Sequence, residues 1–230
     1  MRTIIDVGPR TDPFYALHKP SSGLKRSVYM FEANPAFAKA LSTKIPSLNV
    51  TNFVFNVAIG KEATHMYYYY DSQSFVEESR VGNKSKLKSR KQIEVRTIDS
   101  YESEIHDCDF YKSDIEEMDF YALLGAKKTL ASVHFLQFEL GLGMPLQNRE
   151  VENSDYWNLL EPDFHLFVLK DANPIWGAFG ELPLLLELNA TTKMIIEILQ
   201  YPGYGFNIVG INRAKGIPKI LQEKIGALYR

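Results

Sequence analysis

The chain has 230 residues, of which 45% are hydrophobic and 13% aromatic, and its formal net charge is −2 at pH 7. This length and composition suit one globular domain with a sizeable core, and the small net charge excludes a bulk electrostatic attraction to nucleic acid or to an anionic membrane. The only cysteine, Cys108, excludes an intramolecular disulfide and a cysteine-rich zinc site and favours a reducing compartment, so we expect a cytoplasmic protein. No apolar run approaches the length of a membrane span, and no charged-then-apolar leader precedes the first predicted strand.

Strands and helices alternate through the first sixty residues. Hydrophobic periodicity and chain breakers predict strands over Thr3–Val7, Ser27–Phe31 and Val50–Val57, and a helix over Pro35–Ile45. The helix is expected to begin after Asn34, because Asn is a good N-cap and proline suits the first helical position.

An excursion from this alternation follows, at about residues 64–98. Two strands, His65–Asp71 and Gln92–Ile98, are predicted on either side of a loop rich in Ser and Lys, roughly Ser72 to Arg90. The first strand contains four consecutive tyrosines, which favour a strand with two half-buried faces over a platform for a sugar or a base. The basic stretch Lys84–Lys91 favours a solvated loop over a site for an acidic partner.

The alternation resumes after the excursion. The predicted elements are the strand Asp109–Ser113, the helix Asp119–Leu130, the strand Val133–Phe138, the helix Asp155–Leu160, the strand Phe164–Leu169, the helix Thr191–Gln200, the strand Phe206–Ile211 and a closing helix Ile217–Leu228. Strands that alternate with helices predict an α/β sheet with crossover connections. We expect a single domain over residues 1–230, with a variable C-terminal part from about residue 141.

Polar residues follow the predicted strands at their carboxyl ends, which is where open α/β sheets bind ligands. These strand ends are Asp6-Val7-Gly8, Glu32-Ala33-Asn34, Asn56-Val57-Ala58, Lys112-Ser113-Asp114-Ile115-Glu116 and Glu139. One such residue can simply solvate a strand end, but five in sequence order favour a ligand site.

Glu32 indicates the class of ligand. It follows Gly8 by 24 residues, where an acid accepts hydrogen bonds from the ribose hydroxyls of a nucleotide-type cofactor, and its charge would repel a 2′-phosphate. NAD and S-adenosylmethionine both fit this pattern. The chain has no G-x-G-x-x-G, and the next glycine after Gly8 is Gly23, which disfavours the pyrophosphate of NAD and an NAD-dependent oxidoreductase.

An ordered series of short motifs runs from about Ile4 to Leu140. It consists of Ile5-Asp6-Val7-Gly8, Phe31-Glu32-Ala33-Asn34-Pro35, Asn56-Val57-Ala58-Ile59-Gly60, Val95-Arg96-Thr97-Ile98-Asp99, Lys112-Ser113-Asp114-Ile115-Glu116, Leu124-Gly125-Ala126 and Phe138-Glu139. This series resembles the FkbM family of S-adenosylmethionine-dependent methyltransferases. The resemblance implies a doubly wound, mostly parallel Rossmann-like sheet of the class I methyltransferase type, with strand order 3-2-1-4-5 and two late strands, one of them antiparallel.

The resemblance and the strand-end positions together imply a function and a set of site residues. The function that the resemblance implies is S-adenosylmethionine-dependent methylation of a hydroxyl of a glycan, lipid or secondary metabolite. The cofactor-binding residues are expected to be Asp6, Gly8, Arg10, Asp12, Glu32, Asn34, Asn56 and Ala58. The acceptor side is expected to hold Lys112, Asp114 and Glu116, with one of the two acids as the base. Alternatively, Lys112 only forms an ion pair that orders the strand end. Nothing in the sequence requires a metal.

The chain departs from the family pattern in two places. Pro9-Arg10-Thr11-Asp12 replaces A-N-x-G, so that Asp12 stands where a second glycine is usual. Arg10 has two possible partners, the carboxylate of the cofactor or Asp12. In the acidic motif, Glu117 replaces a glycine and Asp119 replaces the last glutamate. These departures keep open an alternative function, a catalytically silent methyltransferase-like fold that acts as a binding or scaffold module.

Overall fold

The computed structural model describes residues 2–18, 20, 23–69, 74–77, 90–115, 118–140, 151–170, 184–200 and 205–226. The chain divides into two compact units. The first comprises Met1–Cys108 with Tyr121–Leu130, and the second comprises Asp109–Phe120 with Ala131–Arg230. Cys108, at the end of the first of these segments, is buried and forms no disulfide.

A parallel sheet forms the centre of the first unit. Its strands are β1 (Thr3–Val7), β2 (Arg26–Phe31) and β3 (Val50–Phe55), with β2 in the middle. The helices α1 (Phe14–Leu17) and α2 (Pro35–Ser42) connect them. The core residues Ile5, Val28 and Met30 are almost completely buried, so the apolar runs that predicted these strands supply the hydrophobic core.

Local side-chain contacts fix both ends of α2. Asn34 Oδ1 accepts hydrogen bonds from Ala36 N at 2.9 Å and Phe37 N at 3.4 Å, which confirms the predicted N-cap. The helix was predicted to continue to Ile45, and this is wrong, because it ends at Ser42. Pro46 disfavours helical geometry at Ile45. In the last turn, the hydroxyl groups of Ser42 and Thr43 donate to the backbone carbonyls of Lys39 and Ala40.

Among the described residues, the excursion and the short strand before it form a second sheet of four strands in the same unit. Its strands are β4 (Ala58–Ile59), β5 (Thr64–Tyr69), β6 (Ser74–Glu77) and β7 (Arg90–Arg96), in the order β4-β7-β5-β6. The antiparallel pairing of β5 with β7 confirms the two predicted strands. The predicted loop is wrong at Ser74–Glu77, which pairs with β5. Residues 70–73 and 78–89 of this region lie outside the described residues.

The predicted helix Asp119–Leu130 is two helices, α3 (Asp119–Leu124) and α4 (Lys127–Ser132). The break falls at Gly125, which lies so close to the first unit's Gly60 that an added Cβ would be 2.0 Å from Gly60 O. The start of α4 is capped by a residue distant in sequence. The Asp99 carboxylate accepts from Lys128 N and Thr129 N, each at 2.9 Å. A contact between distant segments therefore decides where this helix divides.

The described residues of the second unit form six strands, in the order β8-β9-β12-β10-β11-β13. They are β8 (Phe110–Ser113), β9 (Phe135–Leu140), β10 (Phe164–Leu169), β11 (Leu185–Glu187), β12 (Phe206–Asn212) and β13 (Ile225–Gly226). β8 and β9 are parallel, whereas β12 is antiparallel to both β9 and β10. Of the two predicted late strands one is therefore antiparallel, as expected, and the chain has the predicted α/β fold class with a mostly parallel central sheet.

The helices of the second unit are α5 (Asn153–Leu160), α6 (Ala190–Gln200) and α7 (Lys219–Gln222). The closing helix predicted over Ile217–Leu228 is wrong, because α7 stops after four residues and β13 pairs with β11. Strand five was also predicted to end before Glu139. Instead β9 continues to Leu140, and Glu139 lies within it opposite Asn207. No helix among the described residues is long and apolar enough to cross a membrane.

Candidate functional site

The loop that follows β1 makes a tight turn at Gly8. Gly8 has φ +79°, and its N–H donates to Phe31 O at 3.0 Å, which ties the turn to the end of β2. Arg10 has φ +55°, a left-handed conformation that costs a residue with a side chain about 1–2 kcal/mol. The position of strain in the altered loop is therefore Arg10, although the sequence drew attention to Asp12. Both side chains are exposed, and no ion pair joins them in the described part of the chain.

Glu32 holds this strained loop through its buried carboxylate. Arg10 N donates to Glu32 Oε2 at 2.9 Å, and Asn34 N donates to Glu32 Oε1 at 2.7 Å. Glu32 is only 5% exposed, so these two backbone donors compensate much of the cost of burying a charge. Each carboxylate oxygen retains the capacity to accept a second hydrogen bond.

Burial raises the pKa of Glu32 above its usual value. The N–H donors of Asn34 and Arg10 and the guanidinium of Arg10 oppose this rise, whereas the charge of Asp6 adds to it. Asp6 is itself buried, one residue before the end of β1. Burial, and then the charge of Asp6, also raises the pKa of the Tyr15 hydroxyl in α1. Two buried acids therefore lie near each other at the carboxyl ends of β1 and β2.

The two asparagines predicted at the site organise the backbone around Glu32. Asn34 caps α2 through Oδ1. Asn56 Nδ2 donates to Glu32 O at 2.9 Å and to Ala33 O at 3.1 Å, which links the end of β3 to the end of β2. Ala58 instead packs in a buried cluster of the second sheet with Met66, Ile93 and Val95. The structure thus brings the strand-end residues of the first unit together around Glu32, and it gives Ala58 a packing role.

The residues predicted on the acceptor side belong to the second unit. Lys112 Nζ lies 3.4 Å from Asp114 Oδ2 at the end of β8, with Lys112 mostly buried and Asp114 exposed. The structure therefore contains a Lys112–Asp114 ion pair, which is the alternative role predicted for Lys112. Glu116, the third predicted residue, lies outside the described residues, as does Glu117.

Asp119 is a buried acid near this ion pair. The sequence did not reveal its burial or its shifted pKa. Its Oδ2 accepts from Ile115 N at 3.3 Å, and its Oδ1 has no hydrogen-bond partner among the described residues. Burial raises the pKa of Asp119 well above its usual value. The Ser113 hydroxyl and the Ile115 N–H oppose this rise, and the charges of Asp114 and Glu139 add to it. Only its place at the start of a helix after a strand was visible in the sequence. The described residues include no group of three or more His, Cys, Asp or Glu arranged to hold a metal ion.

A family model described as "Methyltransferase FkbM domain" matches residues 6–171, which is well over half of the chain. The chain belongs to the FkbM methyltransferase family. The matched range contains the loop after β1, Glu32, Asn56 and the Lys112–Asp114 pair, and it continues beyond Leu140, where the series of motifs ended. The resemblance predicted from those motifs is confirmed.

Two solved methyltransferases have some likeness to this FkbM chain. The methyltransferase FkbM from Methylobacillus flagellatus KT is 20% identical, with a TM-score of 0.46, and the match covers 73% of this chain and 39% of that one. The human methyltransferase 10 domain containing protein is 8% identical, with a TM-score of 0.38, and the match covers 92% and 72% of the two chains. The chain thus spans about two fifths of the first structure. No curated protein matches it.

Asp119→Asn is expected to stabilise this FkbM chain at neutral pH and to flatten the dependence of its unfolding free energy on pH. The pKa of Asp119 is raised in the folded state, so between the unfolded and the folded pKa the native state binds more protons. Stability therefore falls as the pH rises through that window, and the penalty remains above it. The Asn oxygen can still accept from Ile115 N. Urea unfolding from about pH 4 to about pH 8 measures the slope.

Asp163→Asn is the matched control, because this side chain is exposed. It should leave the pH dependence of the parent unchanged. An Asp119→Asn variant with the same pH slope as the parent would show that Asp119 titrates normally in the folded protein.

Proposed function

We propose that the chain is an S-adenosylmethionine-dependent methyltransferase that methylates a hydroxyl of a glycan, lipid or secondary metabolite. Membership of the family supports methyl transfer. The observation that carries the choice of cofactor is Glu32, a buried carboxylate at the end of β2 with acceptor capacity left on both oxygens. Such a group suits the two hydroxyls of an unphosphorylated ribose.

The chemistry of the remaining donors fits the other parts of this cofactor. The exposed Arg10 guanidinium suits its carboxylate, and Asp6 or Asp12 suits its ammonium group. Asn34 and Asn56 act as positioning residues, because their side chains already bond the backbone around Glu32. When bound, the cofactor supplies a methyl group activated by its sulfonium.

We assign the acceptor chemistry to Lys112, Asp114 and Glu116. The carboxylate of Asp114 is exposed enough to meet an acceptor, and Lys112 holds it in place through the 3.4 Å ion pair. As the acceptor oxygen gains the methyl group, its proton passes to the carboxylate, which is the work of a general base. Lys112 is a positioning residue in this scheme.

Isothermal titration calorimetry with S-adenosylhomocysteine tests the choice of cofactor without knowledge of the acceptor. Saturable binding at micromolar ligand supports the proposal, and absence of binding at millimolar ligand contradicts it. Formation of S-adenosylhomocysteine from S-adenosylmethionine, measured over panels of hydroxylated glycans and lipids and of matched amines, then tests the preference for a hydroxyl.

Arg10→Ala is expected to weaken the binding of S-adenosylhomocysteine by about 1.5–3 kcal/mol, the contribution of a hydrogen bond to a charged group. Asp12→Gly is expected to leave binding unchanged or to improve it, because it removes a negative charge near the carboxylate of the ligand. Calorimetric titration of both variants measures these effects. Thr11→Ala, at an exposed position in the same loop, is the control. If the Arg10→Ala variant binds S-adenosylhomocysteine with the affinity of the parent, Arg10 does not contact the ligand.

A catalytically silent binding or scaffold module is the second candidate, and one observation favours it. Both oxygens of Glu32 already hold backbone N–H groups, one of them from the strained residue Arg10. In that hypothesis, Glu32 only holds the loop that follows β1 in its conformation. A parent that fails to bind at millimolar ligand, together with an Asp12→Gly variant that binds, would establish this candidate.

Two further expectations stay proposals. A cytoplasmic location is supported by the single cysteine, Cys108, which can form no intramolecular disulfide. A single methyltransferase-like domain over residues 1–230 is supported by the family match over residues 6–171. A variable C-terminal part from about residue 141 stays a prediction, and the match continues past that residue.

A further inference from the structure

Charge is strongly segregated along the first unit. Residues 13–61 contain one acidic residue, Glu32, which is buried. The same stretch contains six basic residues: Lys19, Lys25, Arg26, Lys39, Lys44 and Lys61. The net charge of −2 therefore conceals a part of the chain whose exposed charge is entirely basic.

Large apolar side chains are exposed in this same stretch. Phe14 and Leu17 on α1 are 49% and 44% exposed, and Ile45 and Leu48 in the turn before β3 are 86% and 71% exposed. The two segments are neighbours, because Ser47 N donates to Ala16 O at 2.9 Å. We call Phe14, Leu17, Ile45 and Leu48, with the exposed Lys25 and Lys44, the apolar–basic surface.

Hydrogen bonds hold the apolar–basic surface in place. The Arg26 guanidinium donates to His18 O at 2.8 Å and to Tyr15 O at 3.2 Å, two carbonyls at the end of α1. Arg26 N donates to Asn49 O at 2.9 Å, beside the turn that carries Ile45 and Leu48. The surface is therefore a fixed arrangement of two segments on β2.

We propose that the apolar–basic surface docks the protein on an anionic lipid membrane. Aliphatic and aromatic side chains that enter the headgroup region, surrounded by lysines that attract anionic lipids, are the combination by which peripheral proteins bind such membranes. A second copy of the chain fits less well, because a self-complementary contact would oppose Lys44 and Lys25 to like charges. Nucleic acid would use the lysines but leave Ile45 and Leu48 without an apolar partner.

This inference is independent of the proposed methyl transfer. It nevertheless places the apolar–basic surface beside the loop that follows β1, since α1 begins two residues after Asp12. A membrane acceptor or a membrane-held partner would thus be brought to the first unit from the side of α1.

Co-sedimentation with vesicles tests the proposal. The parent should pellet with vesicles that contain about 30% phosphatidylserine and remain in the supernatant with pure phosphatidylcholine, and added salt should release it. The double change Ile45→Glu with Leu48→Glu should weaken binding at least tenfold. Lys44→Glu should weaken it about fivefold or more, because each basic residue near the surface contributes about that factor.

Ile220→Glu is the matched control, because Ile220 is equally exposed but lies on α7 of the second unit. It should bind vesicles like the parent. Circular dichroism and urea unfolding check that the Glu variants keep the fold and the stability of the parent. The proposal is overturned if the parent does not pellet with phosphatidylserine, pellets equally with phosphatidylcholine, or loses nothing in the double variant. A dimer that dissociates in the double variant, without vesicle binding by the parent, would make this surface a protein interface.

Discussion

Glu32→Ala is expected to abolish the binding of S-adenosylhomocysteine while the protein stays folded. Two ribose hydroxyls would each lose a charged acceptor worth about 1.5–3 kcal/mol, which together weakens binding more than about a hundredfold. The loop after β1 would also lose its attachment, because Arg10 N donates to this carboxylate. Arg10 could then leave its left-handed conformation. The substitution therefore acts both on the direct contact and on the shape of the loop.

Calorimetric titration separates binding from stability when it is combined with thermal unfolding. We expect a loss of unfolding free energy of no more than about 2 kcal/mol, since two backbone N–H groups lose their partner but a buried charge is removed. Glu62→Ala, at an exposed position of the same unit, is the control and should change neither quantity. Binding of the ligand by Glu32→Ala with the affinity of the parent would refute the assignment of Glu32 to the ribose.

Gly125→Ala is expected to destabilise the protein by about 3 kcal/mol or more, the upper range for overpacking. The added Cβ would lie 2.0 Å from Gly60 O, 3.1 Å from Gly60 C and 3.3 Å from Thr97 Cβ. Backbone atoms cannot move aside as a flexible side chain can, so the two segments would have to separate. Urea unfolding measures the loss, which is a large fraction of the 5–15 kcal/mol typical of a domain.

Gly23→Ala is the comparison that separates crowding from backbone strain. Gly23 has φ +80°, but nothing lies within 4 Å of an added Cβ. Its replacement should cost only the left-handed conformation, about 1–2 kcal/mol. If Gly125→Ala costs no more than Gly23→Ala, the close approach of Gly60 and Gly125 is more compliant than the structure indicates.

The elements that the sequence predicted well are those fixed by neighbouring residues. The bounds of β1 and β10 agree with the prediction, because each is a short, mostly apolar segment flanked by polar residues or a turn. The start of α2 also agrees, since Asn34 and Pro35 form the N-terminal signal by themselves. In these places a window of about ten residues contains the interactions that decide the structure.

The errors fall where distant segments decide. The break between α3 and α4 depends on Gly60 and on the Asp99 carboxylate, some thirty residues before α4 in the sequence. β13 exists because β11 is available to pair with it. Neither partner is visible in the local pattern, in which 119–130 and 217–228 both show helical periodicity.

For the candidate site, the sequence grouped strand ends that lie around Glu32 in the structure, but it could not show which of their side chains hold the backbone. The rule that ligands bind at the carboxyl ends of strands brought Glu32 and Asn56 together. Only the folded structure shows that Asn56 Nδ2 donates to two backbone carbonyls, Glu32 O and Ala33 O. The burial of Asp119 likewise depends on how the second unit packs around it, and no spacing in the sequence encodes that.

Cys108 gives the chain a built-in chemical reporter. It is the single thiol and it is buried, so a thiol reagent can react with it only when the structure around it opens. The rate of this reaction, compared with the rate in the unfolded chain, yields the free energy of that local opening. It reports on the end of the Met1–Cys108 segment of the first unit. The variant Ile220→Cys would place a second cysteine at an exposed position. A fluorescent or spin label should then react with that cysteine and leave the buried Cys108 unlabelled in the native protein.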